Sequence, residues 1–461
     1  MKRPEPKNVE AQLNIDEMFF SKTDLKGIIL DGNEVFYRVS KYTRDEMVGK
    51  PHNIVRHPDM PKVVFKLLWE FIKNDKPFAG YVKNLAKDGS YYWVFAVVVP
   101  IFEGGKKEKY LSIRIKPTSN LFAVIRNLYQ KLLQIEKEEG VEASEKELIE
   151  SLKAMGYPSY EAFMREALIE ELKDKDKYLD VQIDLNKIPS EFSFIREIYN
   201  LSKKAKNIFD LVYAKARDFV NLERELENKF SYVFEITDEL SLIALNSSVE
   251  SYKLGSAGAS FFVVSTEIKK DSERIGKLVS GLRSDIATLL NIVRDLELYV
   301  NISKLEIYMI NYFINELIGN LEKDDEMHRD MENLLDLVLA LENNSKKIIE
   351  YSKQLHNYLA KAMRYIEQIE EIISELHYIQ LNGLIESARL GEQKFSIIFN
   401  QVKELVENTN KLIEDVNPMI KKGINDSDEM REANEKIMKE MKKITKILKK
   451  EDKNLKAGAS R

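Results

Sequence analysis

Cysteine is absent from this 461-residue chain. That excludes disulfides, thiolate metal sites, iron–sulfur clusters and thiol nucleophiles together. Glycine (18) and proline (11) are scarce, which favours long helices over a loop-rich fold. Neither sign of charge dominates: 71 Lys and Arg stand against 76 Asp and Glu, a net charge of −5. A nucleic-acid binder normally carries a basic surplus, so none is expected as a partner. The longest apolar run, residues 91–102, contains Pro100 and is shorter than the roughly 20 residues a bilayer span needs. The first residues, MKRPEPKNVEAQ, carry no apolar signal core. A cytoplasmic protein without a membrane span is the expectation. No Walker loop, Gly-x-Ser-x-Gly or paired-His zinc signature is present, so enzyme chemistry is not expected.

Composition changes near residue 118. Both tryptophans, eight of the eleven prolines and most β-type runs precede it. The runs Gly27–Leu30, Tyr91–Val99 and Tyr110–Ile115 are β-branched and aromatic, with turn pairs Asp31-Gly32, Asp88-Gly89 and Gly104-Gly105 between them. With short helices near Arg44–Val48 and Lys62–Asn74, this predicts an α+β domain over 18–118, an antiparallel sheet with helices on one side. Residues 119–186 carry apolar residues at helical spacing, broken at Gly140, Gly156 and Pro158, and read as an all-α connector.

The densest polar cluster is Gly49-Lys-Pro-His52-Asn53-Ile-Val-Arg56-His57-Pro58-Asp59-Met60-Pro61. Its prolines hold the side chains rather than letting them splay. Arg56 and the imidazoles suit phosphates or a polar ring edge; on composition alone a polar cap on the following helix suits the segment equally. The string resembles the PAS domain of aerotaxis receptors, together with Ser21–Ile29, Asn33-Glu-Val-Phe, Trp69, Val82-Lys-Asn84 and Tyr92-Trp93-Val. The resemblance covers about 18–118. It implies a PAS fold holding FAD, whose redox state is the signal. The family's pocket residues fall on Asn33, Arg56, His57, Asp59, Trp69 and Asn84. Haem, with His52 or His57 as ligand, is the alternative cofactor.

From residue 187 to 461 the pattern is a heptad. Fourteen positions from Ile198 to Ile243 alternate three and four apart, and twelve are apolar, a coiled-coil seam. Adding 136 maps Ala205, Val212, Phe219, Leu226, Val233 and Leu240 onto Leu341, Ile348, Leu355, Ala362, Ile369 and Leu376. The same offset aligns Leu245–Gly255 with Leu381–Gly391, each ending in a glycine suited to a left-handed helix end. Four equal helices are predicted, with tips near 255 and 391 and a middle turn near Lys323. They form a long antiparallel four-helix coiled-coil bundle from one chain, an intramolecular pseudo-dimer, with a domain-swapped or ordinary homodimer using the same seams as the alternative. Leu226 should then lie level with Ala362, and Val233 with Ile369.

The tip segments are similar to the hairpin tip of methyl-accepting chemotaxis proteins. That resemblance implies binding of the chemotaxis histidine kinase and its coupling protein, through Asn246, Glu250 and Lys253 in one copy and Asn382, Glu386 and Arg389 in the other. The family's arginine is replaced by Lys253 in the first copy, its aromatic trimer contact by Asp238 and Ser374, and the second copy lacks two residues after Gln393. The whole reads as a redox or oxygen sensor with a degenerate transducer output. A non-catalytic scaffold or adaptor, with the first domain as a docking module, is the other reading.

Overall fold

The computed structural model describes residues 4–173, 175–319, 321 and 324–459. The expected turn near Lys323 lies outside them, as does the side chain of Val233. Contacts group the chain into two compact units: Met1–Tyr213 with Leu298–Ile348 and Ala433–Arg461, and Ala214–Glu297 with Ile349–Glu432.

In the first unit, strands β1 (Met18–Thr23), β2 (Ile29–Gly32), β3 (Phe78–Leu85), β4 (Tyr91–Glu103) and β5 (Lys106–Ile115) form one antiparallel sheet in the order β2-β1-β5-β4-β3. Helices α1 (Glu34–Ser40), α2 (Arg44–Met47) and α3 (Lys62–Lys73) lie between β2 and β3 in the chain. The sheet was expected to carry helices on one side; instead both faces are covered. Of the connector helices α4 (Asn120–Glu138), α5 (Val141–Ala154), α6 (Tyr160–Leu172) and the single-turn α7 (Asp176–Leu179), α5 packs against α3 and α4, and α4 and α6 cover the β3–β4 end of the outer face. There Tyr81 stacks on Phe122, Trp93 on Tyr129 and Phe78 on Tyr160. At the β1 end the outer face meets the long helices α9 (Ala259–Gly319) and α10 (Asp324–Leu390). Phe20 meets Phe313 edge-on at 5.2 Å, and Lys22 donates to Asp336 at 2.8 Å. This explains why β4 reads as a nearly unbroken apolar run: a sheet buried on both faces gains nothing from alternation.

Three helix starts in this unit lack a side-chain cap of their own and take a carboxylate from elsewhere. Glu136 of α4 accepts from Lys62 N and Val63 N, both at 2.9 Å, at the start of α3. Glu171 of α6 accepts from Thr118 N at 2.7 Å and Ser119 N at 3.1 Å, at the start of α4. Glu316 of α9 accepts from Glu34 N at 2.7 Å, at the start of α1. Each satisfies orphan N–H groups and the positive helix end at once, and each fastens a neighbouring element to the domain.

The second unit holds parts of α8 (Ser193–Lys253), α9, α10 and α11 (Gln393–Ala459). Gly255 (φ 60°) and Gly391 (φ 72°) stand at the two reversals, in the left-handed region where glycine pays no Cβ penalty. The four helices pack on one another. Around Gly423 of α11, a Cβ would meet Leu222 of α8 at 2.8 Å and Leu359 of α10 at 3.0 Å, so these helices share a layer. Repeat-related residues meet at the tips: Phe261 and Phe395 stack face to face at 3.8 Å with an interplanar angle of 6°. Their spacing is 134 rather than 136, since the second copy is two residues shorter after Gln393.

The copies have diverged in a compensated way. Ser265 donates to Ser247 in the first hairpin. The corresponding pair in the second is Phe399 and Gly383, where a Cβ on Gly383 would lie 2.5 Å from the Phe399 ring. A small polar pair is thus exchanged for a large ring over a glycine. Gly383→Leu is expected to cost about 1–3 kcal/mol through overpacking, read as a lower thermal midpoint of the full chain. An unchanged midpoint would show that the ring has room to move aside.

Candidate functional site

A cavity of about 270 Å³ opens between α3 and the inner face of the sheet. Strand alternation supplies its walls. On β1, Ser21 and Thr23 line it while Lys22 points out; on β5, Tyr110, Ser112 and Arg114 line it. Val82 and Asn84 come from β3, Ala96 and Val98 from β4, and Phe65, Leu68, Trp69 and Ile72 from α3. The Pro51–Arg56 segment, with a single 3-10 turn at His52–Val55, closes one side.

Of the expected pocket residues, Arg56, Trp69 and Asn84 line this cavity. Trp69 stands edge-on to Tyr110 at 6.1 Å. Arg56 rests on the Phe65 ring at 4.2 Å and donates to Met60 O at 3.2 Å. The other three point elsewhere. Asn33 lies at the start of α1, accepting from Phe20 N at 3.1 Å and donating to Glu316 at 2.8 Å. His57 is buried, and its Nδ1 accepts from Asp59 N at 3.1 Å. Asp59 is exposed and pairs with Lys83 at 2.9 Å, which holds its carboxyl below the ordinary range despite partial burial. The prolines do fix this segment, but they send its side chains in different directions.

A network the residue pattern did not single out sits at the buried end. Arg114 Nη1 donates to Ser21 Oγ at 2.9 Å, and Arg114 Nη2 lies 2.9 Å from His52 Nε2, which is also 3.0 Å from Ser21 Oγ. Burial and the neighbouring guanidinium push the His52 pKa down to about 3. The imidazole is therefore neutral at physiological pH, with Nε2 as the acceptor. The Ser112 hydroxyl is buried with no hydrogen-bond partner among the described residues. A planar, polar-edged ring fits this donor set and volume; ligand sites usually span about 300–1,000 Å³, so a longer ligand must extend through the mouth, where Lys26 and Arg56 stand.

The expected partner-binding residues come together at the tips of the second unit. Asn246 and Asn382 are exposed. Glu250 pairs with Lys253 at 2.6 Å and reaches Lys394 of the other hairpin at 3.2 Å. Glu386 is held by Arg389 at 2.6 and 2.7 Å and reaches Ser260 of the other hairpin at 2.8 Å. These contacts correspond under the internal repeat, so each tip glutamate bridges the hairpins. Beside them run two matched exposed apolar stripes, Leu242, Leu245 and Val249 in one copy and Tyr378, Leu381 and Ile385 in the other, again 136 apart. No helix among the described residues is long and apolar enough to cross a membrane.

Residues 29–114 match the family model described as PAS fold. Over 117 residues the chain is 44% identical to the aerotaxis receptor of Escherichia coli (strain K12), a stretch covering 25% of this chain and 23% of that protein. The chain thus spans about a quarter of that relative's length. It is 20% identical over 415 residues to the biofilm dispersion protein BdlA of Pseudomonas aeruginosa, covering 86% of this chain and 82% of that one. Among solved structures, a PAS domain from a Colwellia psychrerythraea protein aligns at 25% identity and a TM-score of 0.20, covering 22% of this chain and 85% of that one. The sheet order, the cavity on its inner face and the family match together make the N-terminal domain of this chain a PAS domain.

Proposed function

We propose that this chain is a redox or oxygen sensor of the aerotaxis type, with a flavin in the PAS cavity and the helical bundle as its output. The observation that carries the reading is the cavity itself: a ring-sized space with an unpartnered buried hydroxyl, Ser112, in a domain 44% identical to an aerotaxis receptor. A flavin supplies reversible uptake of electrons. Asn84 and Ser112 offer polar contacts to the ring edge, Trp69 an apolar wall, and Arg56 with Lys26 cations for phosphates at the mouth. FAD is favoured over haem because His52 Nε2 is engaged by Ser21 and Arg114, and His57 does not line the cavity.

The chain also supplies a route outward. Arg114 lies against the rings of Phe19 and Phe36 at 5.5 and 5.6 Å. Phe36 belongs to α1, and Glu316 of α9 holds the start of α1. A changed cavity charge would act on α1 and, through Glu316, bias the packing of the long helices, a population shift.

At the other end of the reading, the tip glutamates and apolar stripes are the surface for the chemotaxis histidine kinase and its coupling protein. Purified protein is expected to be yellow, bleaching on reduction, with FAD released on denaturation. Trp69→Ala is expected to lose most of the colour while staying folded. A haem Soret band, or colourless wild-type protein, would sink the cofactor assignment. For the partner, pull-down of kinase and coupling protein is expected with wild type and not with Glu386→Lys. No capture by either form would favour the adaptor reading.

A further inference from the structure

The cavity carries more positive charge than a polar ring edge requires. Among the described residues its lining includes Lys26, Arg56 and Arg114, and no aspartate or glutamate. Lys26 is exposed at the mouth, but Arg114 is only 5% exposed. Its hydrogen-bond partners are the hydroxyl of Ser21, the imidazole of His52 and, at 3.5 Å, the carbonyl of Ser112. Its other neighbours are the faces of Phe19 and Phe36 and the phenol of Tyr92 on β4, which burial keeps neutral. None of these is an anion. Burying a cation costs several kcal/mol unless a counter-charge is supplied, and ring faces and neutral acceptors offset only part of that. Burial lowers the Arg114 pKa to about 10, still far enough above neutrality to leave it charged. The neutral His52 brings no second charge. A buried cation therefore sits beside the unpartnered Ser112 hydroxyl, facing the space a ligand would fill.

Resting on the flavin reading above, we propose that Arg114 is the residue that fixes the charge of the reduced cofactor, holding the ring as its monoanion. Reduction then adds two electrons and one proton to the ring, the electrons coming from an external donor (dithionite in the test below), and the guanidinium takes the place of the second proton. The same attraction favours the reduced over the oxidised form, so Arg114 also raises the midpoint potential. Arg114 is a positioning and charge-setting residue, distinct from Trp69 and Asn84, which hold the ring in either state.

The test is a reductive titration of the full chain in mildly acid buffer, where free reduced flavin takes up both protons. Wild type, Arg114→Lys and Arg114→Met are compared. In wild type and Arg114→Lys the midpoint potential is expected to fall with pH at the slope of one proton per two electrons. In Arg114→Met the slope is expected to double, and the preference for the reduced form to weaken at least tenfold. A purely structural role would change how much flavin binds without changing the proton count. A wild-type slope of two protons per two electrons overturns the proposal whatever the variants do. Equal slopes in wild type and a flavin-loaded Arg114→Met overturn it as well. Colourless wild type is a different result, which removes the flavin reading and this inference with it.

Discussion

Asp336→Ala is expected to destabilise the unit that contains the PAS domain by about 3–5 kcal/mol, the range for stranding a buried charge. Asp336 is 5% exposed and accepts from Lys22 at 2.8 Å and from Lys109 at 3.0 Å. The Lys22 side chain is 4% exposed; without Asp336 its remaining acid is Glu332 at 3.5 Å, itself half in solvent. Thermal unfolding of the full chain, followed by circular dichroism and by the near-ultraviolet signal of the two tryptophans, reads the effect. Trp69 and Trp93 both lie in the PAS domain, so that signal reports on it directly. The double variant Asp336→Leu with Lys22→Met removes both charges and is expected to recover most of the loss, since an apolar pair of similar volume costs little. A single variant within about 1 kcal/mol of wild type would mean that the lysines reach water once released, and that the β1–α10 contact is only a surface pair.

That contact shows where the sequence was readable and where it was not. Lys22 sits in a β1 strand that is otherwise apolar or small, and nothing local says that its outward face meets a helix more than 300 residues later. The PAS domain was legible because its signals are local: turn pairs, strand runs and the proline-framed string. The antiparallel sheet followed by long helices was legible for the same reason. Three of the six pocket residues line the cavity, while Asn33, His57 and Asp59 do not, because a motif specifies spacing but not the side on which each side chain falls. Ser21, Ser112 and Arg114 were missed because the register of β1 against β5, which pairs Ser21 with Ser112, is not written in either strand. One signal was available. Tyr110, Ser112 and Arg114 alternate with Leu111, Ile113 and Ile115, a polar face where a buried strand should have none. The apolar length of β4 was a second, pointing to cover on both faces. In the long helices, the offset of 136 exposed the duplication, but acids such as Glu316 and Glu306 pass for solvated heptad positions until a partner's face is laid over them.

Glu306 should make the stability of the first unit fall as pH rises, opposite to the usual behaviour of a carboxylate. It is fully buried on α9; Asn344 donates to its Oε1 at 2.8 Å, and its Oε2 has no partner among the described residues. Burial raises its pKa from the ordinary 4.5 to about 8, the Asn344 bond offsetting a little. The sign follows from proton counting. Between the two pKa values the native state keeps a proton that the unfolded chain has released, so unfolding releases it and stability falls with rising pH. The contribution is intact below about pH 4.5, is lost progressively between about 4.5 and 8, and is gone above; a shift of this size amounts to roughly 5 kcal/mol. Glu306→Gln copies the protonated form and cannot ionise. Its thermal midpoint is expected to match wild type below about pH 4.5, to exceed it increasingly from there to about pH 8, and to keep that margin above. Glu316, raised to about 7 by burial, contributes a slope of the same sign to both proteins, so the difference between the two curves isolates Glu306. Parallel curves from acid to alkaline pH would show that the carboxylate finds water or a cation when it ionises. The dry polar layer around Asn344 would then be open to solvent, and its cost would disappear from the stability of the bundle.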